Sequence, residues 1–120
     1  MNKKIIQTLG ILALSLTAVS ASAETAKETY DAKCAKCHGD TGKGDGKTAL
    51  KLSIQDKMPD FSSATAFTDK KKSALAPEER MAMSIKEGVV GDKSMKAYKE
   101  YTDAEIKGLV DYLKTFSAKK

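Results

Sequence analysis

Cys34-Ala35-Lys36-Cys37-His38 is the stretch that decides how this chain folds and what it carries. Two thiols three positions apart on a helical turn share one face, where they can add to the two vinyl groups of a single porphyrin. His38 then falls beneath the iron and offers an imidazole nitrogen as an axial ligand. The spacing is that of covalent c-type haem attachment. A zinc site would need two further ligands, and the chain has no other cysteine and only this one histidine. A thioredoxin-like redox pair would sit beside strand and βαβ patterning, which the neighbouring sequence does not offer.

Upstream, Lys3 and Lys4 precede an apolar stretch from Ile5 to Val19, and Ala21-Ser22-Ala23 precedes Glu24. Residues 1–23 therefore read as a secretory leader cleaved after Ala23, since the apolar stretch falls short of the about 20 residues of a membrane anchor. The expected organisation is this leader followed by one small domain over residues 24–120. The leader carries two lysines and no acid, so the net charge of +5 falls to +3 on its removal. Acids are interspersed with the lysines, which argues against a nucleic-acid partner. Four tyrosines, three phenylalanines and no tryptophan are a thin supply for a core. A porphyrin held by two thioethers would supply the staple that so small a domain needs.

Taken in order, Thr25-x-x-Glu28 has the form of a capping box. A first helix is expected from Thr25 to about Lys36, with Ala26, Tyr30 and Cys34 on one face and Tyr30 a core aromatic. Gly39 to Lys47 holds four glycines in nine residues and reads as a winding loop. It is neither a P-loop, because Thr41 stands where the first glycine belongs, nor an EF-hand, because Gly42 and Gly44 occupy ligand positions. A short helical turn follows over 47–53, with Leu50 and Ile54 expected to face inwards. Pro59 keeps Met58 out of helical geometry, and Lys70-Lys71-Lys72 reads as a solvated run. Pro77 opens another helix, which Gly88 ends. Residues 89–101 read mostly as loop. Thr102-x-x-Glu105 caps a last helix whose apolar face is Ile106, Leu109, Val110, Leu113 and Phe116, with Gly108 permitting a close helix approach. No alternating run suggests a strand.

These features together resemble the class I cytochromes c, in their small bacterial monohaem branch. The residues that carry the resemblance are Tyr30 ahead of Cys34, the Cys34–His38 motif with Gly39, and the glycine loop. To these are added the helix ending at Gly88, the loop methionine Met95 and the terminal Leu109-Val110-Asp111-Tyr112-Leu113 helix. The likeness spans essentially all of residues 24–120. It implies an all-α, cytochrome c-like fold in which the N- and C-terminal helices cross, Tyr30 against Leu109 and Tyr112, around one covalently attached haem c. Ala26 stands where relatives often have glycine, implying a slightly wider crossing. Lys47 and Lys96 stand where many relatives have proline. The first of these prolines helps to orient the proximal histidine, so the carbonyl partner of the His38 Nδ1 proton is left open.

A single histidine excludes bis-histidine ligation within a monomer. Met1 leaves with the leader, and Met81 and Met83 fall in an expected helix, where methionine fills core space. Met58, in a loop, is a rival sixth ligand. Met95 lies where the family's ligand loop sits. The resemblance thus implies haem bound by Cys34 and Cys37, with His38 and Met95 on the two faces of the iron. It also implies an exported, periplasmic, monomeric one-electron carrier that is not an enzyme, does not stay in the membrane, and exchanges electrons with redox proteins, acidic ones if the lysines around the motif and Met95 steer docking rather than serve solubility alone. Alternatives are an electron-accepting subunit of a periplasmic oxidoreductase and a gas sensor with an open sixth site.

Overall fold

The computed structural model describes residues 19–68, 75–89 and 91–118. The Lys70-Lys71-Lys72 run and most of the expected leader lie outside the described residues. Among the described residues six helices follow in chain order: α1 (Val19–Lys33), α2 (Ala35–His38), α3 (Lys47–Leu52), α4 (Thr65–Thr68), α5 (Pro77–Glu87) and α6 (Asp103–Ala118). A 3-10 turn, Gln55–Lys57, lies between α3 and α4. Among the described residues there is no strand, only an isolated bridge between Val89 and Asp92. No described helix is long and apolar enough to cross a membrane.

α6 forms where its sequence signals put it. The Glu105 carboxylate accepts the Thr102 N–H at 2.7 Å, and Thr102 Oγ1 accepts the Glu105 N–H at 3.2 Å, so two N–H groups at the helix start find partners. Its face Ile106, Leu109, Val110, Leu113 and Phe116 is buried throughout. α5 starts at Pro77, with the Glu79 carboxylate accepting the Ala76 N–H. It closes at Gly88, whose φ of +80° suits glycine. Ile85 joins α5 to the same core cluster. The bridges Lys86–Asp103 and Lys114–Glu78 are exposed, so packing rather than charge holds α5 to α6.

α1 crosses α6 at Tyr30, which is 1% exposed. Its ring lies 5.4 Å from Tyr112 and 5.1 Å from Phe116, both tilted, a favoured arrangement for aromatic pairs. One turn away Ala26 faces Gly108. A Cβ added at Gly108 would meet only the Ala26 methyl, at 3.9 Å, an ordinary contact. Gly108 leaves room at the crossing without being required there, because the Ala26 methyl already spaces the two helices.

Four expectations are corrected. Thr25 is not an N-cap: α1 begins at Val19, and the preceding turn supplies the carbonyls that Thr25 and its neighbours bond. α1 ends at Lys33 rather than near Lys36, with Cys34 standing between it and α2. Leu50 does not face inwards. It is 51% exposed, while Ala49 is fully buried, because α3 turns its small Ala49 side to α2; Ile54 is half-buried. Met83 is no core filler either, being 52% exposed on the outer side of α5, whereas Met81 packs on the core.

Candidate haem site

The motif forms its own short helix folded against the end of α1. The Cys34 N–H donates to Tyr30 O at 2.8 Å, and the His38 N–H to Cys34 O at 2.9 Å. The glycine loop then wraps back over it. Gly44 N–H donates to His38 O at 2.8 Å and Gly46 N–H to Cys37 O at 3.1 Å. Any Cβ at Gly46 would stand 2.4 Å from Lys36 O, and Gly39, at φ +83°, would bring one within 2.1 Å of the Asp45 carboxylate. Glycine is needed at both places, for close approach at one and for backbone geometry at the other.

Both thiols and the imidazole are half-buried. Burial pushes the Cys34 thiol up to about 11, the neighbouring Cys37 adding to the effect and Lys36 opposing it. A redox-active Cys-x-x-Cys works through a lowered thiol pKa and zinc binds thiolates, and the raised Cys34 favours neither. Among the described residues no cluster of three metal-ligating side chains occurs. Burial also lowers the His38 pKa, keeping the imidazole neutral, the form that ligates a metal. His38 Nδ1 is buried without a hydrogen-bond partner among the described residues. Its ring instead stacks on Phe61, centroids 5.3 Å apart and 27° between planes.

Met95 lies half-buried against the core cluster, as do Cys34, Phe67, Met81, Ala82 and Tyr98. Cys34 thus shares with Met95 the half-covered margin of one core cluster, apolar surroundings of the kind a flat apolar group needs. The Met95 segment is held by the Tyr98 N–H, which donates to Ile85 O at 2.9 Å. It approaches the end of α1, just ahead of the motif, through the Tyr98 hydroxyl, 3.4 Å from Lys33 O, a contact rather than a strong bond at that length. Met58 is placed differently. Its Cβ lies 2.6 Å from the Cβ position of Gly44, so it packs on the loop that follows His38. Two half-buried thiols and a half-buried imidazole held neutral by burial fit a covalently held porphyrin: Cys34 and Cys37 would hold it, and His38 would face its metal.

Two residues at this site carry more than the sequence suggested. Tyr30 is a core aromatic as expected, yet its hydroxyl also donates to Gly39 O at 2.6 Å. Phe61, in an irregular segment, carries no sequence signal of its place against His38.

Fold and site define a class: small all-helical domains that carry haem through thioether bonds. The family model described as Cytochrome c matches residues 23–117, and the chain belongs to that family. Among curated proteins none matches the chain. Membership brings one covalently bound haem c and an electron-carrier function exercised with redox partners.

Proposed function

We propose that this cytochrome c is exported, loses residues 1–23, and works in the periplasm as a monomeric one-electron carrier rather than an enzyme. Cys34 and Cys37 anchor the haem, and His38 and Met95 are its axial ligands. The observation that carries this is the juxtaposition of Cys34, Cys37 and a His38 kept neutral by burial, within one short helix and the residue that caps its start. The bound haem supplies the chemistry, one electron gained or lost between ferric and ferrous iron.

The chain's own residues do the rest. α1 and α6 clamp the start of the motif through Tyr30. The glycine loop holds the Cys37 and His38 carbonyls, fixing the segment that bears both anchor and ligand. Met95, drawn in against the core, offers a soft thioether; His/Met ligation favours the ferrous state and raises the potential. Lys33, Lys36, Lys43, Lys47, Lys93, Lys96 and Lys99 are exposed around the two ligand segments, a charge distribution suited to an acidic redox protein.

The test is the mass and visible spectrum of the chain expressed with export and haem maturation. The expected product starts at Glu24, retains haem after denaturation, and shows the Fe–S band of His/Met ligation. A colourless protein with two free thiols would end the proposal.

A further inference from the structure

Residues 92–101, between Gly91 and the Thr102 cap of α6, form a loop with no helix in it. Met95 stands in this loop, so whatever holds the loop decides how firmly the thioether is presented. Among the described residues one backbone hydrogen bond ties it to a helix. The Tyr98 N–H donates to Ile85 O of α5 at 2.9 Å.

Tyr98 is also where the loop meets the other two long helices. Its ring lies 5.1 Å from that of Tyr101, with 6° between planes, an offset stack. Tyr101 directly precedes the cap residue of α6. The Tyr101 N–H donates to Tyr98 O at 3.2 Å, so ring and backbone close the same short turn. On the remaining side the Tyr98 hydroxyl stands 3.4 Å from Lys33 O, at the end of α1. Helices α1, α5 and α6 thus converge on one residue, three positions after Met95.

Two further contacts carry that hold back to Met95. The loop rests on the end of α5, where the Cβ position of Gly88 lies 3.5 Å from Met95 O and 3.7 Å from the Ala97 methyl. Lys96, next to Met95, has its ammonium 5.3 Å from the centre of the Tyr98 ring, within cation–π range. Of these forces the stack counts most. The hydroxyl contact is too long for a strong bond, and Lys96 is exposed, where such pairs are weak. Both tyrosine rings lie half-buried against the core cluster.

We propose that Tyr98 is the positioning residue of the Met95 loop: stacked on Tyr101, it latches the loop to α6 and sets how readily the thioether leaves the iron. This rests on the reading of Met95 as the sixth ligand. Because the ring and not the hydroxyl carries the hold, phenylalanine should serve at position 98 and leucine should not.

The test uses the oxidised, haem-loaded chain and free imidazole, which takes the sixth position only while the loop is open. Tyr98→Leu should bind imidazole about tenfold more tightly than wild type, the order expected for a lost aromatic pair. Tyr98→Phe should bind it as wild type does. Wild-type affinity in Tyr98→Leu would overturn the proposal, and so would a Phe variant that gains as much as the Leu one. If Tyr98→Leu yields no haem-loaded protein, Tyr101→Leu removes the same stack and should show the same gain; wild-type affinity there overturns the proposal. Val110→Ala, a truncation where α5 and α6 pack, separates general loosening from the latch. It should lower the melting temperature and leave imidazole affinity unchanged, and a gain equal to that of Tyr98→Leu would overturn the proposal. Met95→Ala is the control for the underlying reading. Survival of the Fe–S band in that variant would refute Met95 as the ligand, whereas its loss beside an unmoved Tyr98→Leu refutes the role of Tyr98 alone.

Discussion

The Tyr30 hydroxyl and the Gly39 carbonyl are joined by a buried hydrogen bond of 2.6 Å. Gly39 follows His38 directly and holds a φ of +83°, a region open to glycine. The bond therefore ties the helix crossing to the far end of the haem motif. One side chain packs against α6 through its ring and steadies the turn after His38 through its oxygen.

Tyr30→Phe should keep the ring packing and lose this bond. Gly39 O retains the Gly42 N–H as a partner, so the cost should be about 0.5–1.5 kcal/mol, the net worth of one hydrogen bond. Burial, chiefly, raises the Tyr30 pKa well above its ordinary value of 10.0. Above about pH 10 the unfolded chain releases this proton while the folded chain keeps it, so stability falls as pH rises. Denaturant titrations at stepped pH should show an alkaline decline that is shallower in Tyr30→Phe. Equal slopes in the two proteins would remove Tyr30 from the account.

Two glycines should respond oppositely to alanine. Gly108 has room for a methyl against Ala26, and alanine raises helix propensity, so Gly108→Ala should be neutral or stabilise by up to about 1 kcal/mol. Gly42, at φ +72°, would drive a methyl to 2.8 Å from the Phe116 ring. Gly42→Ala should cost more than about 1 kcal/mol. Thermal melts of the haem-loaded variants measure both; a Gly108→Ala protein that melts well below wild type would mean the crossing is tighter than its contacts indicate.

What was legible in the sequence is what local periodicity and short motifs encode. The Thr102 box and five apolar positions at helical spacing specify α6, and Pro77 with Gly88 delimits α5. The haem motif is read from five adjacent residues. Phe61 was not legible because its partner His38 lies 23 residues earlier in the chain, and no spacing rule links a loop phenylalanine to an imidazole. Leu50 misled because a short helix of Lys47–Leu52 offers too few positions to define a face, and the burial went to Ala49. Thr25 has the right residues for a cap, but capping depends on where the helix actually starts.

Docking should depend on salt. The seven exposed lysines around the ligand segments are offset by Asp31, Asp40, Asp45 and Asp92 nearby, so the steering field is moderate. The rate of reduction of an acidic redox protein should fall as ionic strength rises past the range where the Debye length is about 10 Å. A flat rate across that range would count against electrostatic docking.

The sharpest division lies between the two loop methionines. Met95 is half-buried on the core cluster. Its segment is shaped by Gly88 and Gly91, both at φ +80°, by the Ser94 N–H donating to the Asp92 carboxylate at 2.8 Å, and by the bond from Tyr98 to Ile85. Between those anchors stands Lys96, whose ammonium lies 5.3 Å from the centre of the Tyr98 ring, which in turn stacks on Tyr101. A lysine where relatives have proline leaves the backbone freer, so the Fe–S bond should open under mild denaturant or alkaline pH, with Lys93 or Lys96 taking the place of sulfur. Met58, packed on the glycine loop beside Gly44, has no such setting. Met95→Ala should therefore abolish the Fe–S band, admit carbon monoxide to the reduced protein, and lower the potential by on the order of 0.1 V, within the roughly 0.8 V that axial ligands span. Met58→Ala should do none of these. Loss of the band in the Met58 variant with its survival in the Met95 variant would move the ligand loop to the Pro59 segment, and rapid carbon monoxide binding by the unmodified protein would point to an open sixth site instead.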